Sequence, residues 1–232
     1  MFGWYYDYYY IILVIPAMIL AMWAQMKVSS TFNRYSRVLN MRGYTGAQAA
    51  REILDRNGLY HVQVRQVQGK LTDHFDPRTN VVSLSESVYG STSVAAIGVA
   101  AHEVGHAVQH AKGYAPIKLR AAIIPITNIG STLAIPLVFL GIFMQVDMLI
   151  NFGILLFATV AVFQLVTLPV EYNASNRALE TLESTNMLGT EELKGAKSVL
   201  SAAALTYVAA LIVAVANLLR LILLTGNRRR DD

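Results

Sequence analysis

Four long stretches of this 232-residue chain, 8–26, 121–146, 148–170 and 198–219, carry no charged side chain. No other feature constrains the fold as strongly. A helix needs about 20 apolar residues to cross a bilayer, and each stretch is long enough. A single stretch of this kind could be a buried core helix, but four in so short a chain argue for a membrane protein. Composition agrees: 54% of residues are hydrophobic and 15% charged, against about 25% charged in a soluble domain. Such a chain is too apolar to stay solvated and disordered. It has no cysteine, which excludes disulfides, a thiolate nucleophile and Cys-based metal sites, so His, Asp or Glu must hold any metal. The net charge is +4, with the basic residues gathered beside the apolar stretches. That pattern fits a membrane face and not a nucleic-acid partner.

Trp4, Tyr5, Tyr6, Tyr8, Tyr9 and Tyr10 crowd one end of the first stretch and Trp23 the other, as interfacial aromatic belts do. The N-terminus lacks the basic region of a cleaved leader, so residues 1–26 are expected to be a retained anchor. Ala202, Ala203, Ala204, Ala209 and Ala210 make the last stretch suited to close helix packing.

Residues 27–120 form a polar segment large enough for a small α+β domain. Thr45 and Gln48 read as a capping box, 47–57 as a helix and Gly58 as its stop. Segment 61–67 alternates as a strand does, Asp76-Pro77-Arg78-Thr79-Asn80 is turn chemistry, and 81–84 predicts a second strand. Ser91 or Thr92 is expected to cap a helix over 94–111, ended by Lys112-Gly113. Lys27, Arg34, Arg37 and Arg42 follow the first apolar stretch, and Lys112, Lys118 and Arg120 precede the second. Arg177, Lys194 and Lys197 lie between the third and fourth. The positive-inside rule therefore puts 27–120 and 171–197 on the cytoplasmic side, with Arg228–Arg230 beyond the last stretch running against it.

The predicted helix 94–111 contains His102-Glu103-Val104-Gly105-His106. The i, i+4 spacing sets both imidazoles on one face, one turn apart, where a single Zn²⁺ can bridge them. Glu103 lies beside them, able to reach a water without ligating the metal. In this composition the pattern arises by chance roughly 0.004 times per chain. The competing reading is a helix with a salt-bridging Glu and two packed His.

Catalytic zinc takes three protein ligands and keeps one position open. His110 continues the i, i+4 series but lies ~12 Å along the axis from His102, too far for one ion. The metzincin extension fails, because Gln109 and Lys112 stand where that motif needs Gly and His. Glu171 is the better candidate. It is the first charge after the third apolar stretch, and two crossings return the chain to the side of His102. The alternative is a solvated glutamate at a membrane boundary.

The segment Val99-Ala100-Ala101-His102-Glu103-Val104-Gly105-His106-Ala107 resembles the bacterial YugP-type neutral zinc metallopeptidase family. So do Leu168-Pro169-Val170-Glu171-Tyr172-Asn173-Ala174-Ser175 and Ala203-Ala204-Leu205-Thr206-Tyr207-Val208-Ala209. Ser29-Ser30-Thr31-Phe32 and Gly43-Tyr44-Thr45-Gly46 fit as well, so the resemblance spans nearly the whole chain. It implies an α-helical multi-pass protein of the cell membrane with a small α+β, zincin-like metalloprotease domain, similar in plan to larger membrane gluzincins. It also implies one Zn²⁺ on His102, His106 and Glu171, with Glu103 as general base. The expected organisation is an anchor (1–26), a zinc peptidase domain (27–120), a transmembrane hairpin (121–170) and a helix with the third ligand (171–197). A last transmembrane helix (198–224) and a basic tail (225–232) complete it. One departure is Ser175, where the gluzincin pattern has an Asp that orients a zinc-bound His; a neutral hydroxyl raises ligand basicity less.

The implied chemistry is peptide hydrolysis by a zinc-activated water, with Glu103 moving the proton. Arg177 and Tyr207 are candidate oxyanion donors, each with a plain structural alternative. The strand 81–84 is expected to bind an extended peptide at its edge or to be an ordinary sheet strand. Expected partners are a peptide or membrane-protein substrate, the bilayer, and a membrane complex or second copy, with no nucleic acid. Two rivals remain at this stage. One is a membrane scaffold or chaperone retaining a structural zinc. The other is a small transporter, for which only Arg220 supplies a charge near an apolar stretch.

Overall fold

In the computed structural model, which describes residues 7–231 and side chains as far as Gly226, helices dominate. A π-helical turn (Tyr10–Val14) leads into α1 (Ile15–Tyr35). There follow α2 (Gly46–Arg56), β1 (Gln63–Val67), β2 (His74–Asp76), β3 (Val81–Ser85) and a short α3 (Glu86–Tyr89). Four more helices complete the chain: α4 (Val94–Ala111), α5 (Ala115–Met144), α6 (Asp147–Ser184) and α7 (Thr190–Asp231). Trp4, Tyr5, Tyr6 and the side chains of Arg228, Arg229 and Arg230 lie outside what is described.

Four helical segments are long and apolar enough to cross a membrane: Tyr10–Tyr35, Ala115–Met144, Asp147–Ser184 and Thr190–Gly226. Only 17–28% of each apolar window is buried inside the molecule, and Phe143 and Met148 are 87% and 78% exposed. Surfaces of that kind are stable against lipid and not against water.

The chain divides into two units. The first comprises Met1–Gln25, Leu119–Leu168 and Thr206–Asp232. Within it α5 and α6 pack backbone-close: a Cβ on Gly153 would lie 2.8 Å from the Ala134 carbonyl oxygen. Ala134, Val138, Leu156, Phe157 and Leu221 form its buried cluster. Arg220 donates to Asp7 Oδ2 at 2.6 Å and lies over the Tyr10 ring. This charge pairs within the unit.

The second unit comprises Met26–Lys118 with Pro169–Leu205. Thr45 and Gln48 make the reciprocal capping box that starts α2 (3.2 and 2.9 Å). Leu54, Leu84, Ile97, Leu182 and Met187 are almost wholly buried and fuse α2, the sheet, α4 and the adjoining ends of α6 and α7 into one core.

Of the two readings of strand 81–84, the sheet selects the ordinary sheet strand. Its order is β1–β3–β2, with β3 parallel to β1 and antiparallel to β2. β3 is therefore central and all five of its residues are buried, so neither of its edges is open to a peptide. Val81, Val82 and Leu84 supply apolar side chains on both faces, and Ser83 and Ser85 are buried with them, as in a strand covered on both sides. β2, at three residues, is too short to show a period. The cap of α4 is also displaced: Ser93 Oγ accepts from Ala96 N at 3.2 Å, while Ser91 donates to Ser93. Residues 171–197 are carried by two helices, the end of α6 and the start of α7, with a turn between Ser184 and Thr190.

Candidate metal centre

The site is built on α4, whose composition lets it pass through the core. Ala95, Ala96, Ile97, Ala100, Ala101, Val104 and Ala107 are nearly or wholly buried, and the helix ends where Gly113 takes a left-handed φ of +63°. His102 and His106 lie one turn apart on it, with ring centroids 4.7 Å apart and planes at 83°. Gly105 decides how closely α6 can approach. A Cβ there would lie 2.7 Å from the carbonyl oxygen of Ala174, so only glycine admits the α6 backbone at this distance. That approach brings in Glu171, whose Oε2 is 3.3 Å from His102 Nε2 and 3.4 Å from His106 Nε2. All three side chains are largely shielded, at 14%, 12% and 3% exposure.

The hydrogen bonds behind the imidazoles fix which nitrogens face the carboxylate. Arg177 can only donate, and its Nε bonds Asn173 Oδ1 at 2.8 Å. Asn173 Oδ1 also accepts from Gln109 Nε2 (3.0 Å), which donates as well to the Val170 carbonyl at 2.7 Å. The Gln109 amide is thereby pinned, and its Oε1 lies 3.0 Å from His106 Nδ1. An amide oxygen can only accept, so His106 carries its proton on Nδ1 and turns the Nε2 lone pair toward Glu171. His102 Nδ1 lies 3.1 Å from Ser175 Oγ, which lets its Nε2 do the same.

Two imidazole lone pairs and a carboxylate oxygen, mutually within 4.8 Å, repel one another unless a proton or a cation sits among them. This donor set suits one divalent ion of the zinc type. The balance at His106 points the same way. Burial pushes its pKa down, but the Glu171 bond and the charges of Glu103 and Glu171 outweigh burial and leave it raised. Glu103 is buried on α4 beside these ligands and makes no hydrogen bond or ion pair among the described residues. Its carboxylate is uncommitted.

His110 is exposed and stands 6.0 Å from the Phe75 ring, outside the cluster. Arg177 has its Nε committed to Asn173 and lines a cavity of ≈ 130 Å³ against Ala101, Gly105 and Val108 of α4. Tyr207 lies on α7. Sequence reasoning passed over Gln109 and Asn173. The available signal was spacing: Gln109 follows His106 by three residues, on the same helix face.

A family model described as "Putative neutral zinc metallopeptidase" matches residues 10–226. A Bacillus subtilis (strain 168) protein named "Putative membrane protease YugP" is 50% identical over 224 residues, covering 96% of this chain and 99% of that protein. No solved structure matches the chain.

Proposed function

Because the chain belongs to the neutral zinc metallopeptidase family, we propose that it is a membrane-embedded zinc endopeptidase acting on membrane or membrane-associated proteins. The observation that carries this reading is the convergence of His102 Nε2, His106 Nε2 and Glu171 Oε2 from two helices, beside the uncommitted Glu103. His102, His106 and Glu171 would hold one Zn²⁺. When bound, that ion supplies a Lewis acid for the peptide carbonyl and an acidified water. Glu103 takes the proton of the attacking water and hands it to the leaving nitrogen, the work of a carboxylate placed beside the ligands and not among them. Ser175 and Gln109 hold the imidazoles in register. The domain organisation is read as a zincin-like unit on a four-helix membrane anchor, and the basic residues flanking its helices favour a cytoplasmic active site.

The test is Glu103→Gln in the full-length protein. An amide keeps the shape of the carboxylate but cannot accept the proton, so zinc content and folding should persist while cleavage of a membrane-protein substrate stops. Cleavage at near wild-type rate in this variant would overturn the assignment.

A further inference from the structure

Away from the metal centre, the second unit contains a groove of ≈ 550 Å³ formed by α1, α6 and α7. Two helical stripes face each other across it. Lys27, Thr31 and Arg34, at i, i+4 and i+7 of α1, form one. Ser198, Ser201, Ala202 and Leu205, at i, i+3, i+4 and i+7 of α7, form the other. Tyr172 of α6 and Tyr35 of α1 complete the lining, and no acidic side chain borders the groove. Tyr35 fits flush because α7 has glycine opposite it: a Cβ on Gly195 would lie 2.8 Å from the Tyr35 ring. Lys27 and Arg34 make no ion pair among the described residues.

The groove lies where each of its three helices turns from apolar to polar. Lys27 is the first charge after the uncharged run of α1, Tyr172 follows the first charge after that of α6, and Ser198 follows the last charge before that of α7. A cationic and hydroxyl-bearing end therefore adjoins an apolar wall of Ala202 and Leu205 at headgroup depth. We propose that this groove binds an anionic glycerophospholipid, its phosphate between Lys27 and Arg34 and its acyl chains along Ala202 and Leu205. The charges complement a phosphodiester, the serine and threonine hydroxyls can donate to its oxygens, and the volume lies in the range of small-molecule sites. A basic residue at this depth strengthens anionic-lipid binding roughly fivefold.

The test uses the full-length protein in neutral detergent, titrated with phosphatidylglycerol, phosphatidylcholine or inorganic phosphate while thermal unfolding is followed. Phosphatidylglycerol should raise the midpoint more than phosphatidylcholine, and inorganic phosphate should not. The double variant Lys27→Gln/Arg34→Gln should bind phosphatidylglycerol on the order of twentyfold more weakly, whereas Arg37→Gln, an exposed basic residue outside the groove, should match wild type. Ser201→Phe fills the groove without altering charge and should abolish the preference by itself. Equal shifts from the two lipids, an equal shift from inorganic phosphate, or an unaltered preference in both groove variants would each overturn the proposal. None of these readouts involves zinc or cleavage, so the result is independent of the peptidase reading.

Discussion

At the scale of single residues, the centre depends on which atoms present lone pairs. Replacing His102 or His106 by Ala should reduce zinc in the purified protein from about one equivalent to near none, because two ligands cannot hold the ion tightly. Atomic absorption on protein purified in detergent checks this, and full occupancy in the double variant would refute the site. Gln109 acts one bond further out. Gln109→Leu keeps the volume but removes both the acceptor for His106 Nδ1–H and the bonds to Val170 and Asn173. It should weaken zinc binding about 10–100-fold, the usual cost of losing an outer hydrogen bond to a ligand, as read in a chelator competition. Protons and zinc compete for the same lone pairs. In metal-free protein the raised pKa of His106 gives stability that is present in full below the unfolded value and lost as pH rises through the folded one. Zinc needs the neutral imidazole, so the zinc-induced rise in unfolding temperature should shrink as pH falls through that same folded value. Unfolding curves with and without zinc across pH 5–8 should converge at the acid end, in the range where His titrates.

At the scale of elements, the centre is a contact between α4 and the part of α6 that follows Pro169. Gly105→Ala would drive a methyl into the Ala174 carbonyl. The helices must separate, at about 1–3 kcal/mol in stability, and zinc affinity should fall although no ligand has changed. Glu171 tests the same contact from the other side. Glu171→Ala should remove most zinc binding, and Glu171→Gln should bind weakly, since a neutral amide oxygen is a poorer ligand than a carboxylate. A glutamate that merely marked a membrane boundary would tolerate either change within about 0.5 kcal/mol of stability and with no effect on metal.

At the scale of the whole molecule, four helices able to cross a membrane connect segments whose sides are linked. Glu171 lies on α6 beyond the apolar runs of α5 and α6, and two crossings by those runs would put it on the same face of the bilayer as His106. The chain has no native cysteine, so single cysteines at Arg78 and Ser184, both exposed, provide clean probes. In oriented vesicles an impermeant thiol reagent should reach both from the same side only. Labelling from opposite sides would remove Glu171 from the centre. Modification from the cytoplasmic face would also fix the orientation that the flanking basic residues favour.

What the sequence determined by itself was local or compositional. Uncharged runs specify membrane-crossing helices because bilayer thickness sets their length. Thr45 with Gln48 specifies a helix start, and His102 with His106 a shared face, because one turn of helix fixes that geometry whatever surrounds it. Tertiary structure decided the rest. It made β3 the central strand, since pairing with β1 and β2 is set by packing between residues distant in sequence. It extended α6 unbroken past the apolar run, carrying Glu171 on the same helix. It gave Gln109 its partners, Val170 and Asn173, more than 60 positions along the chain. The motif could offer two imidazoles, but the third donor and the proton pattern behind them exist only where Gly105 lets two helix backbones meet, because a distance between segments far apart in sequence is a property of packing and not of local pattern.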